Sequence, residues 1–326
     1  MRSLYDGRAG LAVAGEVRSV LTWDYEARDP QLHALYERAK AMQWNVTTDI
    51  DWDTEVAFGE SLADDSDFAM ASFASSPLAS RGRDAWDVFR WELQAWMVSQ
   101  FLHGEQGALV VASRLVEVVP DLDSKMYAAT QAVDEARHVE AFSRYLYDKI
   151  DHPYDISAPL EALLADILAD SRWDITALGM QIMVEALAMA AFRLANTTFH
   201  DDLIRQITRL VARDEARHVS FGVLALEGLY SQMTSAEIRD REDMVIEAAE
   251  LMRRRFLLEQ VWERMEVPVD EGTQYALRDP LMIQYRQAIF AKVVSSLFRI
   301  GLMTPRVRSS FAKLQIIGGS ADRAIR

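Results

Sequence analysis

Two stretches, DEARHVEAF at 134–142 and DEARHVSFG at 214–222, repeat the hexapeptide DEARHV with a shift of 80 residues, from 134 to 214. Each contains Glu-x-x-His: Glu135 with His138, and Glu215 with His218. On a helix, residues three apart share a face about one turn apart, so a carboxylate and an imidazole there can hold one metal ion between them. One such pair arises easily by chance. Two pairs with identical flanks are a far more specific signal.

The same shift relates two further acids. Glu105 stands 30 residues before Glu135, and Glu185 stands 30 before Glu215. Their settings are FLHGEQGALVV at 101–111 and MQIMVEALAMAAF at 180–192. A glutamate among so many apolar neighbours is costly to bury without a partner. Antiparallel helices account for the offset, because a residue some 30 back, round a tight turn, lies level with its successor. The spacing therefore predicts that Glu105, Glu135 and His138 converge at one depth, and Glu185, Glu215 and His218 likewise. The two halves would be related by a pseudo-twofold axis.

Work outward from these motifs and the chain reads as helical almost throughout. Long helices are predicted over 84–119, closed by Pro120 and Asp121, and over 124–150 with Ser124 as N-cap. A crossover carries a short helix at 159–170. Further helices are predicted at 174–199 and 203–230, with Asp201-Asp202 in the turn between them. A fifth, starting at Thr234 or Ser235, continues to about 266. A last pair occupies 280–300 and 304–315, and one helix at 30–44 precedes the polar segment NVTTDIDWD at 45–53. Two long antiparallel helices, a crossover, then two more make an all-α, ferritin-like four-helix bundle with one long crossover. The expectation is a single domain over 1–326, with the bundle at 84–230 and flanking helices at 30–44 and 234–315. A helical solenoid would need a short repeat along the whole chain, and only one repeat is present.

Charge decides what the bundle core holds. Four buried carboxylates cannot persist unneutralised in an apolar interior. Two divalent cations balance them, with the imidazoles neutral. Oxygen-rich ligation with one imidazole per ion suits iron or manganese better than structural zinc. Open coordination positions on each ion suit the site to O₂. Asp134 and Asp214 are each expected to accept the outer ring N–H of the histidine in the opposite motif. Arg137 and Arg217 are placed to brace these acids.

This pattern, Glu105 with Asp134-Glu135-x-x-His138 and Glu185 with Asp214-Glu215-x-x-His218, resembles the ferritin-like di-iron carboxylate oxygenases. That superfamily includes monooxygenase hydroxylase subunits, desaturases, ribonucleotide reductase small subunits and the p-aminobenzoate N-oxygenases. The resemblance covers 84–230. It implies two Fe ions per chain (or an Mn/Fe pair), O₂ as cosubstrate, Glu135 and Glu215 as bridges, and Glu105 and Glu185 as terminal ligands. The sequence departs from several branches. The position of a radical-forming Tyr is Phe142, matched by Gly222; the extra His of the N-oxygenases is replaced by Val211; and Ala188 and Met189 stand where hydroxylases and desaturases often carry Thr. A substrate would meet Phe101, Leu102, Ala108, Phe142, Gln181 or Met189, mostly apolar, so a small apolar or aromatic molecule is expected. The implied reaction is hydroxylation, N-oxygenation or desaturation. Ferroxidase or iron storage, or a role like that of a ribonucleotide reductase small subunit, are the alternatives.

Composition sets the surroundings. There are no cysteines among 326 residues, which excludes disulfides, thiolate zinc sites and a protein-ligated iron–sulfur cluster. A cytoplasmic protein is expected. The net charge of -15 argues against nucleic-acid or anionic-membrane binding and favours a basic partner. The apolar run 107–113 is too short to span a bilayer, and no run is expected to reach that length. His33, His103, His152 and His200 lack ligand spacing. IGGSADR at 317–323 is no phosphate loop, so no flavin or nicotinamide site is visible, and electrons must come from a separate reductase or ferredoxin. Trp86, Trp91 and Trp96 on one helix suggest a homodimer face. The basic tail (Arg299, Arg306, Arg308, Lys313, Arg323, Arg326) has the acidic body, a second subunit or a partner as possible contacts.

Overall fold

Few residues in this chain interrupt helical periodicity, and those that do become caps. In the computed structural model, which describes residues 10–56, 67–150, 153–199 and 201–318, the elements are α-helices with short 3₁₀ and π segments, and no strand occurs among the described residues. The two long pairs are α3 (Arg83–Val118) with α4 (Leu122–Tyr145), and α7 (Glu185–Thr198) with α8 (Asp202–Leu226). Three residues, 119–121, join the first pair, and 199–201 join the second, so partners run antiparallel. The crossover carries α5 (Ala158–Ala169) and leads to the short α6 (Trp173–Ala177). His152, His200, Arg323 and Arg326 lie outside the described residues.

Caps explain where the helices begin. Asp121, not Ser124, is the N-cap of α4: its carboxylate accepts the Ser124 N–H at 2.8 Å, and Ser124 Oγ donates to it in turn. Asp201 caps α8 through the N–H groups of Leu203 and Ile204. Thr234 and Glu237 form a reciprocal capping box at the start of α9 (Ser235–Arg255). In α1 (Pro30–Ala41), α12 (Pro280–Arg299) and α13 (Pro305–Lys313), the capping residue is followed by Pro at the first helical position, whose missing N–H would be unpaired there anyway.

Three expectations are corrected. The helix beginning at Ser235 stops at Arg255; Leu258 adopts a left-handed backbone (φ 62°), and α10 (Glu259–Arg264) and α11 (Val269–Arg278) follow as separate elements. Leucine has no turn signature, so nothing local marked the break. The tryptophans of α3 are not an open face: Trp86 and Trp96 are buried, and Trp91 is half-buried against the core. Trp86 stacks on Phe89, Phe89 stacks on Trp262 of α10, and Trp96 donates to Gln260 at 2.9 Å. Finally, Trp173–Asn196 is long and apolar enough to cross a membrane by length and composition, but 89% of its apolar 18-residue window is buried inside the protein. It is apolar all round because it is the bundle's innermost run.

That innermost run is not a plain α-helix. Leu178–Val184 forms a π segment, in which the Glu185 N–H reaches Met180 O. The wider turn makes room for Gln181 against α8, and Gly222 of α8 accepts it: a Cβ on Gly222 would come within 2.3 Å of Gln181 Cβ. Gly222→Ala should therefore lower stability by about 1–3 kcal/mol through overpacking, read as a shift in the urea midpoint at unchanged slope.

Candidate metal centre

The six ligand candidates come from four elements and meet in the bundle core. Glu105 (α3), Glu135 and His138 (α4), Glu185 (α7), Glu215 and His218 (α8) are all buried, none more than 5% exposed. One oxygen or nitrogen from each of Glu105, Glu135, His138 and Glu215 falls within 4.8 Å of the others, and Glu135, Glu185 and His218 form a second such group. Glu135 belongs to both. Glu215 reaches His138 Nδ1 at 3.3 Å and His218 Nδ1 at 3.5 Å, so it also borders both.

The orientation of the imidazoles follows the same two-fold logic. His138 turns Nδ1 toward Glu105 and Glu135 (3.1 and 3.2 Å) and Nε2 toward Asp214 (3.3 Å). His218 turns Nδ1 toward Glu135 (3.1 Å) and Nε2 toward Asp134 (3.1 Å). Each Asp thus meets the histidine of the opposite motif. Both arginines reach this pair of acids. Arg217 Nη2 donates to Asp134 at 2.9 Å and to Asp214 at 2.8 Å, and Arg137 donates to Asp134 with a longer contact to Asp214.

Several residues of this site were not singled out from the sequence. Trp44 is one: its Nε1–H donates to Asp214 at 2.7 Å, its ring stacks on His138, and the Arg137 guanidinium lies 5.3 Å from it. Gln43 reaches Asp134. Trp44 closed the helix expected at 30–44 and the 45–53 segment read as polar, yet Trp44, Val46 and Ile50 are buried; those three apolar residues were the only available signal. Gln131 is the other. One turn before Glu135, its Nε2 donates to Glu135 Oε1 (3.1 Å) and Glu185 Oε1 (2.7 Å), pinning carboxylates from two helices. Its own Oε1 accepts from Gln181 at 3.5 Å.

The buried atoms left without a hydrogen bond test whether cations fit. Both carboxylate oxygens of Glu215, Glu185 Oε2 and His218 Nδ1 are buried and unpaired by hydrogen bonds. Buried polar atoms are normally satisfied, and these four unsatisfied ones all belong to candidate ligands. The cluster fits a dinuclear metal site. Without cations, protons must do the neutralising. Burial pushes Glu105 well above the usual carboxylate range, with Glu215 and Glu135 adding to it against His138; burial raises Glu185 too, reinforced by Glu215 and Glu135. Burial opposes charge on the imidazoles, but Glu105 and Asp214 raise His138, and Glu135 and Glu215 raise His218, well above the ordinary value. Asp214 moves the other way: burial opposes ionisation, and His138, Arg217 and Trp44 outweigh it.

A small cavity of about 30 Å³ adjoins the cluster, with Glu105, Glu185 and Glu215 in its wall. Phe101 and Ala108 line it, as expected from sequence. Leu102, Phe142, Gln181 and Met189 do not. Phe142 packs on Phe101 and Phe192 outside it, Gln181 faces Gln131, and Leu102 and Met189 sit on other helix faces. A position one turn from a ligand gives the level along a helix but not the angle round it. Gln100, Gly104, Val184, Leu187, Ala188, Ala191, Phe192, Arg255 and Phe256 complete the lining.

Two outcomes follow. Metal uptake at neutral pH should release protons, seen as a heat that depends on buffer ionisation enthalpy. Affinity should rise as pH increases from about 6 to 8, because groups with raised pKa must lose their protons to bind. Asp214→Asn should weaken metal binding by about 10–100-fold, measured by competition with a chelator, because the His138 ring loses its charged partner.

No curated protein matches this chain. Among solved structures it is similar to two variants of an R2-like ligand-binding oxidase. One has an anaerobically reconstituted Mn/Fe cofactor (17% identity, 91% of this chain and 96% of that one, TM-score 0.43). The other has an aerobically reconstituted Mn/Fe cofactor (19% identity, the same coverage and TM-score). The family model of p-aminobenzoate N-oxygenase AurF matches residues 26–301, which takes in every residue of the metal cluster and its Asp–Arg–Trp surround. The chain belongs to that family, and with it to the O₂-dependent di-iron oxidases and oxygenases.

Proposed function

We propose that this protein inserts one oxygen atom from O₂ into a small, mostly apolar or aromatic organic molecule, with an aromatic amine as the favoured substrate and N-oxygenation as the favoured outcome. The observation that carries this is the cavity: three of the four candidate ligand carboxylates form part of a wall otherwise dominated by apolar side chains. A substrate held there meets the ions directly, and water does not compete for the space. The family's name supplies the amine and the N-oxygenation. Val211, where N-oxygenases carry a further histidine, leaves this chain with one imidazole per ion, so its ion pair is more oxygen-ligated than theirs.

Bound iron would supply electrons to O₂ and Lewis acidity toward the oxygen it carries. The protein's residues do the rest. Phe101, Phe192 and Phe256 keep water out, and an organic substrate of ordinary size requires these rings to turn, because the space as it stands holds about a water molecule or two. Asp134 and Asp214 hold the outer N–H of each histidine. Gln131 holds one oxygen each of Glu135 and Glu185, leaving Glu185 Oε2 free. The balance is amine plus O₂ plus two electrons and two protons to hydroxylamine plus water. The two electrons come from a separate reductase or ferredoxin, for which the acidic surface is suited to a basic docking face. A cytoplasmic homodimer is part of the same proposal.

Protein loaded with iron, chemically reduced and mixed with O₂ should convert 4-aminobenzoate or a related arylamine to its hydroxylamine in a single turnover, detected by mass spectrometry with ¹⁸O₂. Glu215→Ala, which removes a carboxylate within reach of both histidines, should abolish product and most bound iron. Oxygen uptake that yields only mineralised iron, with no labelled product from any arylamine, would sink the proposal.

A further inference from the structure

Among the described residues, four glycines lie within the bundle: Gly104 and Gly107 of α3, Gly179 of the π segment and Gly222 of α8. Glycine is a poor residue for a helix interior, so each needs a reason. For three of them the reason is close packing. A Cβ would stand 2.5 Å from Leu164 at Gly107, 2.6 Å from Ile167 at Gly179 and 2.3 Å from Gln181 at Gly222. Gly104 is the exception: nothing lies within 4 Å of the place its Cβ would take.

Its position supplies the reason. Gly104 lines the cavity beside the metal cluster. Of the fourteen residues around that cavity, twelve are buried, and only Gly104 and Ala188 are partly exposed. Each sits in the middle of its helix's share of the wall. Phe101, Gly104, Glu105 and Ala108 follow one face of α3, and Glu185, Ala188 and Phe192 follow one face of α7. Gly104 is the chain neighbour of Glu105, and Ala188 lies one turn from Glu185, so both stand beside candidate ligands. Where the wall meets solvent it therefore presents a bare Cα on α3 and a methyl group on α7. Every bulkier lining residue lies deeper.

We infer that the gap between Gly104 and Ala188 is the entrance to the cavity, and that the lack of bulk at these two positions sets how wide a molecule can pass. This rests on the reading of the cavity as the substrate site. A flat organic molecule enters edge-first between α3 and α7 and arrives beside Glu105 and Glu185 without parting the packed helices. The rings of Phe101, Phe192 and Phe256 still turn to receive it, so the mouth selects by width and the interior by fit. A helix that forgoes a side chain and gains no packing contact in return keeps a path clear. Gly104 and Ala188 act on passage alone and take no part in the chemistry.

The test separates an entrance from a contact and needs no turnover. Iron-loaded protein is mixed with 4-fluoroaniline or the wider 3,5-dimethylaniline, and rates are followed by stopped-flow tryptophan fluorescence. Trp96, edge-on to the wall residue Phe256 at 6.3 Å, is the reporter. Calorimetry gives Kd separately. Gly104→Leu and Ala188→Leu should slow both association and dissociation of 4-fluoroaniline by one common factor, at least about 10-fold, with Kd and iron content unchanged. A narrowed mouth raises the barrier equally in both directions, and 3,5-dimethylaniline should be slowed more. Gly104→Ala should slow the wider amine more than the narrower one. It carries the test if a leucine variant fails to fold, because a methyl group there meets nothing. Unchanged rates in all three variants overturn the inference. So does a changed Kd at an unchanged association rate, which marks a contact, and so does failure of both amines to bind the unaltered protein. Slowed entry with no oxygenated product from any arylamine would refute the oxygenase proposal alone; oxygenation with entry undiminished in both leucine variants would refute the entrance alone.

Discussion

Four carboxylates gathered in an apolar interior repel one another and are poorly solvated, and the rest of this molecule is arranged around that fact. Cations can satisfy them, and so can protons, which is why Glu105 and Glu185 are pushed toward the neutral form and both histidines toward the charged form without metal. The two solutions compete for the same atoms. The unpaired oxygens of Glu215 and Glu185 mark where hydrogen bonding within the protein stops and ligation begins.

Around this centre lies a ring of opposite character, built from acids paired with bases and N–H donors. Asp134 and Asp214 each accept from the histidine of the other motif and from Arg217, which stitches the two halves of the bundle together across the pseudo-twofold axis. The segment after α1 closes the ring from outside with Gln43 and Trp44, and α1 is itself held at its start, where the Arg28 and Asp29 N–H groups donate to Asp123. Charged partners keep these acids ionised, so the histidine rings stay fixed while protons or metal exchange on the inner side.

The cluster has two unlike flanks. On one, Gln131 and Gln181 form a buried amide relay, for which the π segment and Gly222 make space. On the other, the cavity is apolar except for the candidate ligand acids, Gln100 and Arg255. The first flank restrains ligands and the second receives a reactant. The C-terminal helices serve the second flank: Arg255 and Phe256 reach the cavity only because the chain turns sharply there. The basic tail has a structural partner as well, with Arg306 paired to Glu242 and Asp243 on α9.

How much of this was legible from residues alone differs by type of feature. The helices, the crossover, the six converging ligands and the crossed Asp–His pairing all follow from spacing, because helical geometry converts sequence distance into height and face, and antiparallel pairing converts a 30-residue offset into contact. Buried charge then dictates what the core must hold. What spacing could not supply is anything set by the angle between elements or by distant chain. Trp44 meets Asp214 across 170 positions, and Phe89, on which Trp86 stacks, is covered by Trp262 of α10, a helix whose start is an unmarked leucine. The π segment shifts the faces of the third bundle helix without a sequence signature, which put Gln181 against Gln131 and not in the cavity. The sequence alone therefore determined the metal-binding chemistry, since that chemistry is local and repeated; only the tertiary structure decided which side chains face the reactant and that Gly104 and Ala188 stand where the cavity meets solvent, since a cavity wall is the sum of surfaces from helices remote in sequence.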